Sequence, residues 1–171
     1  MRKVFDDTAL RSVVVDEGIV EKGNEQIEQN ANSFQDASSV TKLYKETSLT
    51  TMDTGRLILI CYDSALEYLN MALFGIENRK YEKKYEGLTK AFKAIAVLLD
   101  SLDYNQGGDV AQNLDTFYRY ILKKILDIDI SKNKEELKKI IEYVTIMRDA
   151  WKEALGKKEG NSNGGEKTTD K

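Results

Sequence analysis

Few residues in this chain have side chains suited to catalysis or to binding a metal. It contains no histidine and a single cysteine, Cys61, beside 29 aspartate and glutamate residues. Without histidine, no Ser-His-Asp or Cys-His arrangement can form, and the Glu-x-x-His pairs of di-iron bundles cannot exist. One cysteine also excludes an intramolecular disulfide and a Cys-based zinc site. The sequence therefore predicts a protein that is not an enzyme and that uses no cofactor or metal, with a carboxylate-based metalloenzyme as the alternative that the acidic residues leave open.

The charged and glycine-rich stretches favour solvated surfaces over phosphate binding. Gly107-Gly108 is followed by Asp109 and not by the Lys-Ser or Lys-Thr pair of a phosphate loop. Six lysines between residues 123 and 139 alternate with acidic residues, and the net charge is −3. This charge argues against nucleic acid as a partner. The acidic residues, which alternate with lysines, are interpreted as solvated helix faces.

The element that must organise the chain is an apolar helix over residues 54–76. Its apolar residues cover far more than the stripe of about 100° that a surface helix needs, which predicts a central helix surrounded by others. Asp53 is the predicted N-cap, with Thr51 as the alternative. Arg56, Asp63 and Glu67 interrupt the run, so it is interpreted as a protein core helix and not as a membrane span. Cys61 is interpreted as a buried small hydrophobe.

Three more periodic segments follow the central helix. Residues 80–102 place apolar side chains at alternating spacings of four and three, residues 109–127 form the next helix after a glycine-containing loop, and a last helix begins near Asn133 and reaches Leu155. Asn133 and Glu136 have the spacing of a capping box. Short loops between the four helices predict an all-α, antiparallel four-helix bundle, with a short extra N-terminal helix over residues 38–46.

The two ends differ from this core in composition, which predicts three regions. Residues 1–39 carry four basic against eight acidic residues and are predicted to be a largely disordered extension, although residues 12–20 have the β-branched content of a short strand or docking segment. Residues 40–155 form the bundle domain. Residues 156–171 contain no apolar residue and are predicted to be a disordered tail. A basic start followed by acids instead of a long apolar stretch predicts a cytoplasmic protein without a secretory signal.

Three segments in order resemble the bacterial flagellar export chaperone family, FliS. The first contains Tyr44, Leu49 and residues 51–54, followed by residues 57–65, which resemble the family's Leu-x-Leu-Met-Leu-Tyr-Asp-Gly-Ala helix. The second is residues 107–114, similar to Gly-Gly-Glu-Ile-Ala-x-Asn-Leu, with residues 117–121 after it. The third is residues 147–153, similar to Leu-Arg-Glu-Ala-Trp. Two positions depart from the pattern, because Thr54 stands at the family's proline and Ser64 at its glycine.

The resemblance implies a cytoplasmic chaperone that binds the disordered C-terminal segment of flagellin in a hydrophobic groove. By covering this segment it prevents premature polymerisation and supports export by the flagellar secretion system. The resemblance also implies contact with the cytoplasmic domain of the export gate. It implies neither nucleic acid binding nor membrane insertion. The alternative from the residues alone is a helical interaction or adaptor module for another partner.

The resemblance also points to candidate residues for the groove or for a segment that covers it. Residues 38–49 are expected to lie over the groove and to move aside for flagellin, and the central helix begins beside them. An equally good interpretation of the central-helix residues is that they are simply core. The candidates are Tyr44, Leu49, Leu57, Ile58, Cys61 and Tyr62.

Overall fold

The computed structural model describes residues 4–16 and 53–160, with side chains for 4–11 and 53–156. Five helices account for nearly all of these residues. This confirms the prediction of an all-α helical bundle. The predicted short helix over residues 38–46 lies outside the described residues. The helices are α1 (Asp7–Asp16), α2 (Thr54–Glu77), α3 (Tyr81–Asp100), α4 (Tyr104–Ser131) and α5 (Lys134–Gly160).

Helix α2 begins at the predicted cap and buries one of its faces. The Asp53 carboxylate accepts a hydrogen bond from the Gly55 N–H, as an N-cap does. Twelve of its 24 residues are buried, all on the face toward the other helices. The outer face carries exposed Arg56, Asp63 and Glu67, while the inner face packs against α1, α3 and α5, as expected for the central helix of the bundle. By length and composition α2 would suffice to cross a membrane, a test that the core helix of a soluble bundle also passes.

The four long helices form an antiparallel bundle because the turns between them are only two or three residues long. Helix α2 packs on α3 and on α5, and α3 packs on α4, whereas α4 and α5 form the least extensive of the contacts between neighbouring long helices. One partly buried ion pair joins α3 to α4. The Lys84 ammonium group, at the start of α3, lies 2.5 Å from the Asp129 carboxylate and donates to the Asp129 carbonyl at 2.7 Å, near the end of α4.

Three helix ends differ from their predicted positions. Helix α4 starts at Tyr104 and not at Asp109, because the Asp103 carboxylate caps the Asn105 and Gln106 N–H groups. Its backbone breaks at Gly108, whose φ of +50° suits glycine. Helix α4 ends at Ser131 and not near Asp127, and helix α5 extends past the predicted end at Leu155 to Gly160.

The predicted capping box at the start of α5 is only half formed. The Asn133 side-chain oxygen accepts from the N–H groups of Glu135 and Glu136, both at 3.1 Å. The Glu136 carboxylate does not complete the box, because it binds the Lys124 ammonium group of α4 at 2.6 Å. Asn133 N–H instead donates to the Ser131 hydroxyl. Glu136 therefore links the two neighbouring long helices whose contact is the least extensive.

The largest difference from the sequence prediction concerns the N-terminal segment. Residues 4–16 were predicted to be disordered or to form a strand at residues 12–20, but residues 7–16 are helical and residues 4 and 5 pair with the bundle. The Asp6 N–H donates to the Ser101 carbonyl and the Asp103 N–H donates to the Val4 carbonyl, both at 2.7 Å. Val4, Phe5 and Leu10 are buried. We call residues 4–11 the arm; residues 17–39 lie outside the described residues.

A local pattern explains why the arm folds. The Asp6 carboxylate accepts from the Thr8 and Ala9 N–H groups, which makes it the N-cap of α1. Phe5 and Leu10 then occupy the two positions that flank an N-cap in a hydrophobic staple, and both are buried. This signal is present in the sequence, but the acidic composition of residues 1–39 masks it.

Replacing Leu10 by alanine is expected to lower the free energy of unfolding by about 1 kcal/mol, because its side chain is fully buried but lies in an arm that can detach as a unit, which keeps the loss below that of a leucine inside the bundle. Urea unfolding followed by circular dichroism measures this change. Thr8→Ala is the matched control, since Thr8 is exposed on the same helix and should change stability by less than about 0.5 kcal/mol. Equal stabilities for the two variants would show that the arm does not pack on the bundle.

Candidate functional site

The predicted site residues of the central helix lie inside the bundle. Leu57, Ile58, Cys61 and Tyr62 are each at most 1% exposed. They share one face of α2, in agreement with their spacing, but in this state no partner can reach them from solvent. Tyr44 and Leu49 lie outside the described residues. A groove that includes the four α2 residues therefore exists only if covering elements move.

The polar tips of three aromatic side chains meet in this buried region. The hydroxyl oxygens of Tyr62 and Tyr118 lie 2.5 Å apart, although the two residues are 56 positions apart in the sequence. The indole of Trp151 lies near the Tyr62 hydroxyl and, since its N–H can only donate, it opposes the rise in the Tyr62 pKa. The cluster joins α2, α4 and α5. Buried tyrosine and tryptophan are stable in a core only when their polar atoms find such partners.

Burial changes the proton affinity of this cluster. Desolvation of the thiolate raises the pKa of Cys61 to about 12. Burial likewise raises the pKa of Tyr62, and raises that of Tyr118 even further above its ordinary value of 10.0. All three groups are therefore neutral at physiological pH. Cys61 is a packed hydrophobe and not an activated nucleophile, because nucleophilic cysteines need a lowered pKa.

The arm is attached to this aromatic cluster. The Phe5 ring packs edge-on against Trp151, with ring centroids 5.4 Å apart and planes at 62°. Beyond it, Tyr62 and Tyr118 are also in ring contact at 6.3 Å. The Thr54 hydroxyl, at the first residue of α2, donates to the Asp7 carboxylate of the arm. Each of the three segments that carry the family resemblance thus contributes to one end of the bundle: Thr54, Gly107 and Trp151.

A separate apolar surface remains exposed where α3 and α4 lie side by side. We call it the α3–α4 surface. On α3 the spacings of four and seven residues keep its members on one face, and on α4 the spacing is four. Its exposed members are Tyr81, Tyr85, Leu126 and Ile130, and its half-buried members are Phe92, Leu99 and Leu122.

Two contacts show that the α3 and α4 parts of this surface adjoin. The Lys84 to Asp129 ion pair brings the start of α3 to the end of α4, and the Lys132 ammonium group lies 4.5 Å from the centroid of the Tyr81 ring. From Tyr81 to Leu99 the surface runs for roughly 27 Å at 1.5 Å per residue. Ile130 is 84% exposed, the highest value among the large apolar side chains of the described residues. Contiguous apolar surface of this kind marks an interaction site in a soluble protein.

Sequence reasoning assigned much of this surface to the core. Seven residues at alternating spacings of four and three form one predicted packing face between Tyr81 and Leu102. Of these seven, only Leu88, Ile95 and Leu102 are buried, whereas Tyr81 and Tyr85 are exposed. The helical spacing correctly places these residues on adjoining sides of α3. It does not show which of these sides is covered by another helix. The sequence feature that could have indicated this exposed surface is Ile130, an isolated apolar residue at the polar end of α4.

The lysine-rich stretch has acidic partners. Lys124 pairs with Glu136, Lys138 with Glu135, and Lys134 with Glu77 of α2. The Lys124 contact lowers the pKa of Glu136, since the positive charge favours the carboxylate form. Among the described residues, no group of three or more Cys, Asp and Glu side chains is placed to hold a metal ion. These contacts agree with the solvated surface predicted from the alternating charges.

Sequence comparison assigns the family. The sequence model described as "Flagellar protein FliS" matches residues 36–158, which include every resemblance motif. The chain belongs to the FliS family. This confirms the resemblance found in the sequence. The FliS match begins after the arm, so the contacts of residues 4–11 belong to a part of the chain that the family model does not cover.

Individual FliS relatives give the same result. The chain is 31% identical over 124 residues to the "Flagellar secretion chaperone FliS" of Bacillus subtilis, covering 71% of this chain and 92% of that protein. It is 25% identical to "Flagellar secretion chaperone FliSB" of Pseudomonas aeruginosa, covering 67% and 94%. It is 26% identical to the FliS of Salmonella typhimurium, covering 63% and 81%.

The buried cluster predicts a loss of stability at alkaline pH. The folded state holds protons on Cys61, Tyr62 and Tyr118 at pH values where the unfolded chain, with ordinary values of 9.0 and 10.0, has released them. Their contribution is complete below about pH 9 and falls as pH rises, by about 1.4 kcal/mol per pH unit for each group.

Urea unfolding between pH 8 and pH 11 measures this dependence. Tyr118→Phe should reduce the slope by one group's share, because it removes one of the buried ionisable groups. Stability that does not vary above pH 9 would contradict the burial of these three groups.

Proposed function

We propose that this protein is a flagellar secretion chaperone that binds the disordered C-terminal segment of flagellin in the cytoplasm. Membership of the FliS family and the names of the relatives support the chaperone role. The observation that supports a bound segment is the exposed apolar side chains of the α3–α4 surface. By covering flagellin's apolar segment, the chaperone prevents premature polymerisation and supports export.

The dimensions of the α3–α4 surface suit an amphipathic helix. A partner helix of about 18 residues has the same length of roughly 27 Å, and its anchors at i, i+3, i+4 and i+7 can contact Tyr85, Leu122 and Leu126 in turn. Ordering a flexible segment costs about 2 to 5 kcal/mol, so the apolar contact must be extensive. A segment of about 40 residues can extend past this surface and reach a typical interface of ~1,600 Å².

The groove predicted at the start of α2 belongs to the same proposal as a second, closed part of the site. Leu57, Ile58, Cys61 and Tyr62 become accessible when the segments that cover them move aside. Residues 38–49, with Tyr44 and Leu49, are proposed to form such a cover. Any stability that a cover adds to the free protein lowers the apparent affinity for flagellin by the same amount, because only the uncovered fraction binds.

Transfer of flagellin to the cytoplasmic domain of the export gate is proposed as the next step. The alternative function is an adaptor module for another helical partner, which the same surface would serve. Co-expression with the flagellin of the same organism, followed by co-purification, separates the two. Flagellin recovered at one-to-one stoichiometry supports the chaperone, and the absence of flagellin from the purified protein favours the adaptor.

Leu126→Asp is expected to weaken binding of a C-terminal flagellin peptide at least tenfold, because it places an unpaired carboxylate at the centre of an apolar contact. Isothermal titration calorimetry measures the affinity. Ile146→Asp is the matched control, since Ile146 on α5 is 59% exposed and Leu126 is 56% exposed. If both variants bind as tightly as the wild type, flagellin does not contact the α3–α4 surface.

A further inference from the structure

The end of the bundle where the arm lies has the features of a peptide-binding pocket. It offers backbone groups for an extended segment at Ser101 and Asp103, an aromatic wall at Trp151, and a hydroxyl group at Thr54. The arm occupies it as a ligand would. Its contacts are an extended backbone pair, one aromatic ring, one carboxylate and one leucine, all supplied by eight consecutive residues.

Gly107 allows the arm to approach closely. A side-chain Cβ at this position would lie 3.2 Å from the Val4 Cα and 2.7 Å from the Ala111 Cβ. Both distances are shorter than ordinary van der Waals contact, so the arm and α4 could not both keep their places. The first glycine of the Gly107-Gly108 pair thus provides room for the backbone of the arm.

Thr54 provides an independent indication that the pocket is matched to the arm. It stands where the family pattern has proline, a residue with neither a side-chain hydroxyl nor a backbone N–H to donate. Here the Thr54 hydroxyl donates to Asp7, a residue of the segment that the family match leaves out. This hydrogen bond therefore joins Thr54, which departs from the family pattern, to Asp7, which lies outside the family match.

We propose that residues 4–11 are a tethered ligand that closes a peptide-binding pocket at this end of the bundle. The pocket recognises an aromatic residue on extended backbone, an acidic N-cap turn, and a leucine five residues after the aromatic ring. A segment of the same chemistry from another chain competes with the arm for it. The pocket is distinct from the α3–α4 surface, and the proposal does not depend on which partner that surface binds.

The tether sets how strongly the arm competes. The arm and α2 belong to the same chain, and a covalent connection of this kind gives an effective concentration of about 1 mM. If the pocket binds free arm peptide with a dissociation constant of about 100 µM, the tethered arm occupies the pocket in about ten of every eleven molecules. Full-length protein should bind an added arm peptide roughly tenfold more weakly than protein without the arm.

Trp151 is the only tryptophan in the chain and lies against Phe5, so its fluorescence reports on the pocket. The probe is a synthetic peptide of residues 1–16, titrated into full-length protein and into protein lacking residues 1–16. We expect a saturable change in Trp151 emission, with roughly tenfold tighter binding to the truncated protein. A Phe5→Ala peptide should not bind, whereas a Thr8→Ala peptide should bind like the wild type.

Full-length Phe5→Ala provides a second route if the truncated protein does not fold. Its loosened arm should let the wild-type peptide bind more tightly than it binds to the full-length wild type. Thr54→Val in the truncated protein removes the hydroxyl at nearly constant volume and should weaken the wild-type peptide severalfold. The proposal is overturned if the peptide leaves Trp151 emission unchanged in every protein that folds, or if it binds the wild type and the arm-disrupted protein equally well.

Discussion

The burial of three polar aromatic tips between α2, α4 and α5 is the constraint on which the rest of this structure depends. The Tyr62 and Tyr118 hydroxyl groups and the Trp151 indole cannot meet water, so they must meet one another. This fixes the rotation of all three helices. An apolar core tolerates small shifts between helices, but a hydrogen-bonded cluster requires one arrangement. Phe5 extends that arrangement to the arm, because it packs on the same tryptophan.

The fixed cluster separates two kinds of apolar surface. One end of the bundle is closed by the arm, which packs against Trp151 and bonds to Thr54. The α3–α4 surface is left exposed because α3 and α4 adjoin through Lys84 and Asp129, with no further described helix beyond their outer edge. A chaperone for a long disordered segment benefits from this division. An exposed surface allows the first contact, and a covered one limits the apolar area that the free protein presents to solvent.

The sequence was sufficient for the helices and for the family, because both depend on local periodicity and on motifs in order. The sequence was insufficient to determine whether each apolar residue is buried or exposed. The spacing of Leu57, Ile58, Cys61 and Tyr62 places them on one face, yet it cannot distinguish a closed core from a groove. Tyr85 and Ile95 likewise share a periodic pattern but have opposite exposure, which depends on neighbours far away in sequence.

The arm shows the limit of arguments from composition. Residues 1–39 are acidic and polar on average, and that average predicts disorder. Three buried side chains, one N-cap and two backbone hydrogen bonds nevertheless place residues 4–11 on the bundle. Phe5, Asp6 and Leu10 carry this information through their spacing. An average composition does not record this spacing. The packing of the arm also depends on Trp151, a tertiary partner far away in the sequence.

Methyl-detected nuclear magnetic resonance during titration with the flagellin C-terminal segment tests the central claim most directly. The claim is that flagellin binds along the α3–α4 surface. It predicts large shifts for the methyl groups of Leu122, Leu126 and Ile130, with the Ile146 methyl groups unchanged as an exposed reference. Saturation with no shift at Leu122, Leu126 and Ile130 would contradict the account, and shifts confined to Leu57 and Ile58 would place flagellin in the covered groove alone.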